Sequence, residues 1–187
     1  MYWIIEGPAR NAVPEGSLGI YRGAMDGSDG NRIIPSKFPK LLTVHHSSQL
    51  LFWVERVGHF SSGYSYQIFH SDLDGDGVRL TISLPSMPYK LGVAGSRVYW
   101  TTMGHDTLSS CERDTANNFL TYQLPGLNVA LTDFVIVRPN PGIQASWDPC
   151  IPGALCSDMC IPTPTGYMRC LCPQGHQLLP DNRTCGE

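Results

Sequence analysis

An aromatic pair recurs at nearly constant spacing, Tyr2-Trp3, Phe52-Trp53 and Tyr99-Trp100, with first members 50 and 47 residues apart. A fixed period of this length marks a chain built from copies of one supersecondary unit, none of which buries its apolar face alone. The stretches after the first two pairs repeat as well. Leu18-Gly19-Ile20-Tyr21-Arg22 and Tyr66-Gln67-Ile68-Phe69-His70 read as strands. Each leads into a turn rich in residues that tolerate positive φ, Met25-Asp26-Gly27-Ser28-Asp29-Gly30 and Leu73-Asp74-Gly75-Asp76-Gly77. A short apolar run follows (Arg32-Ile33-Ile34; Leu80-Thr81-Ile82), then a break containing proline. An apolar strand then leads to the next pair, Lys40-Leu41-Leu42-Thr43-Val44 before Phe52 and Tyr89-Lys90-Leu91-Gly92-Val93 before Tyr99. Four short strands per repeat, each bounded by Gly, Pro or Asp, predict four-stranded antiparallel sheets.

Composition agrees. Gly 19 and Pro 15 with only 16% charged residues, against a usual ~25%, favour frequent turns over solvated helices. No segment longer than about ten residues shows a 3.6-residue apolar period, so the fold class is all-β. Repeats of this length and strand content are propeller blades: a partial blade over 1–38, full blades over 39–85 and 86–124, and a last apolar strand at Asp133-Phe134-Val135-Ile136-Val137-Arg138. That is about three blades, and 187 residues ending in an open ring are not expected to fold alone as a monomer. With 13 Lys+Arg against 16 Asp+Glu the chain is neither a nucleic-acid arm nor a disordered tail. The longest uncharged stretch, 115–132, contains Asn117, Asn118, Gln123, Pro125, Gly126 and Asn128 and cannot form a membrane span of ~20 apolar residues. Residues 1–12 show no signal-peptide pattern, so the sequence reads as an internal piece of a longer secretory protein.

Six of the seven cysteines lie between Cys150 and Cys185, spaced Cys150-x5-Cys156-x3-Cys160-x9-Cys170-x-Cys172-x12-Cys185. A segment of that size with almost no aliphatic core needs covalent staples. Six cysteines allow fifteen pairings, and the arithmetic alone chooses none. A zinc site from Cys156, Cys160, Cys170, Cys172 or His176 fits poorly, because the paired knuckles of zinc sites are missing. The organisation is therefore 1–140 repeat body, 141–147 linker, with a stiff junction at 138–142, and 148–187 disulfide module.

Tyr99-Trp100-Thr101-Thr102 resembles the YWTD signature of the six-bladed propellers in the low-density lipoprotein receptor family, which implies that the three blades are a partial six-bladed ring, about half of one. Ile20-Tyr21-Arg22 followed by Met25-Asp26-Gly27 resembles the stretch that follows it. The signature's Asp is replaced by Ile5 and Thr102, and Glu55 alone keeps an acid. The tail resembles an EGF-like module, with Gly166-Tyr167 shortly before Cys170, and its ending, Leu178 to Cys185, resembles the modules that directly follow such propellers. That resemblance implies the pairs Cys150–Cys160, Cys156–Cys170 and Cys172–Cys185, each worth ~2–4 kcal/mol. It implies no calcium here, since Pro162 stands where a ligand would and Asp148 is the only acidic hint before Cys150. Trp147 is expected to pack the module against the last strand.

No catalytic motif is present, so no enzyme activity and no cofactor is expected. Asp72-x-Asp74-x-Asp76-Gly77 begins like an EF-hand loop but places Ser83 at the twelfth position and sits between strands, so it reads as a hairpin turn, and no metal is assigned. Cys111 is either buried or open to an intermolecular bridge. Asn182-Arg183-Thr184 is a glycosylation sequon. The family resemblance implies part of the ectodomain of an endocytic receptor that binds an extracellular protein or lipoprotein ligand, contacts other modules of the same receptor and releases its ligand on acidification. His45 and His46 are the first candidates for sensing pH. Such a protein would face the extracellular side of the plasma membrane or the endosomal lumen. The competing expectation is a secreted, nidogen-like matrix or adhesion scaffold.

Overall fold

The computed structural model describes residues 1–6, 15–26, 28–59, 63–102, 104–123, 131, 133–134, 136, 156–162 and 168–186. Strands β1 (Tyr2–Ile5), β2 (Gly19–Arg22) and β3 (Asn31–Pro35) make a three-stranded sheet. Strands β4 (Pro39–His45), β5 (Leu50–His59), β6 (Gly63–Asp72) and β7 (Arg79–Leu84) make a four-stranded sheet. Strands β8 (Pro88–Ala94), β9 (Arg97–Thr102), β10 (Thr107–Glu112) and β11 (Leu120–Gln123) make another. Every sheet is an antiparallel meander in chain order, the form of a propeller blade. Beyond them lie two small hairpins, β12 (Met159–Pro162) with β13 (Met168–Leu171), and β14 (Gln177–Leu178) with β15 (Cys185–Gly186). The described residues hold two short 3-10 turns and no α-helix.

The three aromatic pairs fall on equivalent strands, β1, β5 and β9. In two of them the Trp stacks on the aromatic residue directly opposite: Trp3 on Tyr21 with ring centroids 5.8 Å apart, and Trp53 on Phe69 at 5.7 Å. In the third blade Ser109 stands opposite Trp100, and Phe119 supplies the ring from the turn before β11, at 5.6 Å. Even the irregularities repeat. The pairing of β2 with β3 shifts register between Ile20 and Tyr21, and that of β6 with β7 between Ile68 and Phe69, the same step relative to the Trp. Strands β4 and β8 both open on a buried proline, Pro39 and Pro88, where a missing N–H costs no ladder bond, and each carries a bulge within three residues.

The core lies between the sheets. Side chains alternate along β5, so Leu51 and Trp53 pack with Ile20 and Ile34 of the first sheet, while Phe52 and Val54 pack with Leu91, Val98 and Trp100 of the third. Among the described residues the first sheet has no counterpart of β4 and β8. The segment 133–138, whose apolar run predicts a further strand, carries none at its described positions. The Phe134 N–H donates to the Asp133 carboxylate at 2.7 Å, and Lys90 pairs with Asp133 at 3.0 Å. Phe134 and Ile136 lie where a Cβ on Gly92 would stand, 2.8 and 2.9 Å away, so a glycine in β8 makes room for them.

Trp53 is almost fully buried and Trp3 only partly. Replacing Trp53 with Ala is expected to lower unfolding free energy by about 3–5 kcal/mol, and Trp3→Ala by clearly less. Denaturant melts of the two variants, made in the protein that contains this chain, check this order.

Candidate functional site

Strands β4 and β8 run side by side, and with residues 134 and 136 they border an open cleft of about 450 Å³ lined by Thr43, His45, His46, Lys90, Phe134 and Ile136. His45 is the last residue of β4, and the chain turns there into a short 3-10 turn closed by Gln49 in the left-handed region. The two neighbouring histidines separate. His45 is 6% exposed, with Nδ1 2.6 Å from Ser48 Oγ and Nε2 3.1 Å from Ser47 Oγ, whereas His46 faces solvent. The backbone carbonyl of His46 accepts from the Gln49 N–H and side-chain amide, at 3.2 and 2.6 Å.

A third histidine is as enclosed. His70 on β6 is 8% exposed; its Nδ1 lies 2.8 Å from Thr81 Oγ1 on β7 and its ring 5.4 Å from Phe52. Burial pushes its pKa below the ordinary histidine value, and Arg113 and Arg79 push the same way against an opposing Asp114. Sequence reasoning gave this residue no special rank. The available signal was its place two residues after Ile68, on the core-facing side of β6.

Cys111 is fully buried between the second and third sheets, and burial pushes its thiol up to about 11, so it stays protonated and shielded. The Asp72 carboxylate accepts the N–H groups of Asp74 and Asp76, at 3.0 and 2.8 Å, which gives it a turn-closing role.

In the tail, Cys156 is joined to Cys170 and Cys172 to Cys185, with Cα separations of 5.4 and 5.5 Å. Cys160 is also in a disulfide; Cys150, which the family pairing gives it, lies outside the described residues, as do Trp147 and Asp148. The Cys185 N–H donates to Ser157 Oγ and the Ser157 N–H to the Arg183 carbonyl, both at 2.9 Å, tying Ser157 to the strand at Cys185. The module meets the last blade through its backbone: the Gln174 N–H donates to the Thr121 carbonyl at 2.6 Å, on the edge of β11 that faces away from β10. Leu171 and Pro173 are buried, as is Tyr122, whose hydroxyl is pushed up to about 12 by burial and, secondarily, by the Asp158 charge. A backbone contact of this kind leaves no residue signature. Asn182 is exposed in the left-handed region (φ 57°), next to an Asp181 carboxylate that accepts from Thr184 Oγ1 and from the N–H groups of Arg183 and Thr184. Those bonds hold the Asp181 carboxyl below the usual range.

Blades in series with a disulfide module against the last one define a propeller–EGF pair. The family described as "Coagulation Factor Xa inhibitory site" matches residues 152–185. The human "Low-density lipoprotein receptor-related protein 4" is 30% identical over 147 residues, 77% of this chain and 7% of that protein. The Drosophila melanogaster "Vitellogenin receptor Yl" is 24% identical over 172 residues, 89% of this chain and 8% of that protein. A solved structure titled "Crystal structure of Nidogen/Laminin Complex" superposes with a TM-score of 0.47 at 15% identity, covering 56% of this chain and 40% of that one. The chain belongs to the low-density lipoprotein receptor family, as YWTD propeller blades followed by an EGF-like module. It spans less than a tenth of the length of these curated relatives. Among the described residues no helix is long and apolar enough to cross a membrane.

His70 has a folded pKa below its unfolded value of 6.5, so the unfolded state binds more protons as pH falls. Its contribution to stability is present above about pH 6.5 and is lost as pH drops through that value toward the folded pKa. Urea melts of the protein that contains this chain, from about pH 7 to about pH 5, should show the wild type losing stability and a His70→Gln variant losing clearly less. Parallel losses in both would reject this role.

Proposed function

We propose that this chain is part of the ligand-binding ectodomain of an endocytic receptor, working at the extracellular face of the plasma membrane and in the endosomal lumen. In this reading the blades present a surface to an extracellular protein or lipoprotein ligand, and other modules of the same receptor dock on the ring at low pH. The observation that carries it is the placing of enclosed histidines: His45 at the edge of the cleft along the inner strands, His70 in the core between two blades. A buried imidazole that takes up a proton must find new partners or move, and histidine does this in the endosomal range. The naming of the relatives as receptors supports the same reading. His46, exposed beside His45, is the accessible imidazole that a docking module would meet. Asn182 is proposed to carry an N-linked glycan, because its side chain stands at an exposed tight turn of the module.

Two outcomes are expected. Partner binding to the receptor that contains this chain should weaken between about pH 7 and about pH 5, and replacing His45 and His46 with Gln should flatten that profile. An unchanged profile in the double variant removes these two residues from the mechanism. For the secreted protein, enzymatic removal of N-linked glycans should shift the mass of the Cys172–Cys185 peptide, and Asn182→Gln should abolish the shift. An unmodified peptide from secreted material contradicts the glycan.

A further inference from the structure

At the end of the second sheet opposite His45, β5 and β6 run on past their neighbours. The pairing with β4 ends at Glu55 and that with β7 at Tyr66, while β5 and β6 remain paired out to His59 and Gly63. On this projecting hairpin the Arg56 guanidinium lies over two aromatic rings, with its Cζ 4.4 Å from the centroids of both Phe38 and Tyr64. The rings come from different elements, Phe38 from the turn before β4 and Tyr64 from β6. Tyr64 sits opposite Gly58, whose φ of +99° and the 2.6 Å that would separate a Cβ from the Gly63 carbonyl restrict that position to glycine. The backbone N–H of Arg56 donates to the Phe38 carbonyl at 3.1 Å, which holds the turn against the strand.

Stacking on rings orients a guanidinium and leaves its edge as the polar outlet. Among the described residues no oxygen accepts from the Arg56 side chain, and its Nε is shielded from water without a partner. The charge around it is unbalanced. Lys37 is exposed beside Phe38; Lys40 is already paired with Glu6; Glu55 alternates to the other face of β5, with Leu51 and Trp53. Phe38 and Tyr64 remain 38% and 40% exposed, far more than any aromatic residue of the inter-sheet core.

We propose that Arg56, framed by Phe38 and Tyr64, is a docking site for a carboxylate side chain on an acidic segment of a partner protein. A carboxylate takes the two parallel N–H bonds that a guanidinium edge offers, while the rings cover the segment's methylene groups. An aromatic cage for a ligand cation is excluded, since Arg56 already occupies the ring faces. A sulfated polysaccharide would need a longer row of unpaired cations than Arg56 and Lys37 supply. The site lies away from the histidine cleft, so it stands whether or not the acid response does.

The probe is a fluorescein-labelled hexaglutamate peptide, titrated by anisotropy at low salt into the protein containing this chain. Hexaglutamine and a heparin-derived hexasaccharide serve as competitors of the other chemistries. Hexaglutamate is expected to bind at least about tenfold more tightly than hexaglutamine, and Arg56→Lys, which keeps the charge and loses the fork, to weaken it by about tenfold. Tyr64→Leu alters only a partly exposed ring and is expected to weaken binding with the fold intact by circular dichroism, giving the same readout should the Arg56 variant unfold. Equal binding of hexaglutamine, preference for the hexasaccharide, or hexaglutamate binding unchanged in either variant overturns the proposal.

Discussion

Strand β5 must satisfy two neighbours at once, and the blade stack depends on it. Its successive side chains Leu51, Phe52, Trp53 and Val54 are all buried, alternately against the first sheet and the third. A strand exposed on one face would alternate with polar residues; this one reads as an unbroken apolar run because both of its faces are interfaces. Trp53 and Trp100 fill the space toward the preceding blade, and two of the three repeat tryptophans, Trp3 and Trp53, stack on an aromatic residue directly across the strand pair. At ~25 cal/mol per Å² of apolar area removed from water, such inter-sheet faces dominate the favourable side of folding.

This frame leaves its two ends and one edge available for chemistry. One end carries the cleft with His45 and His46, the other the projecting hairpin with Arg56 between its rings. The outer edge of β11 is taken by the disulfide module through the Gln174–Thr121 backbone bond. An open strand edge is a pairing hazard, and covering it with a stapled module both protects the blade and fixes the module's place. His70 sits inside the frame, whereas His45 and His46 sit at its margin beside the cleft.

Much of this was readable in the residues. The period of the aromatic pairs, the Gly/Asp turns and the prolines that open β4 and β8 each follow from local rules, and the strands fall where those rules put them. Two things escaped. His70 carries no local signature, because its burial comes from Phe52, Thr81 and the third sheet, which meet only in the fold. The contact between module and blade is made by backbone atoms, which no side-chain pattern encodes; Trp147, the aromatic residue expected to make it, lies outside the described residues.

The Gln174–Thr121 bond joins module and last blade into one body, so that a change in the packing of one reaches the other. Amide hydrogen exchange at Gln174 tests it directly. Its N–H is 2.6 Å from the Thr121 carbonyl, so the account predicts slow exchange at a rate shared with the β10–β11 amides, and faster exchange when Trp100→Ala loosens the third blade. Rapid exchange at Gln174, indifferent to the blade variant, would contradict it.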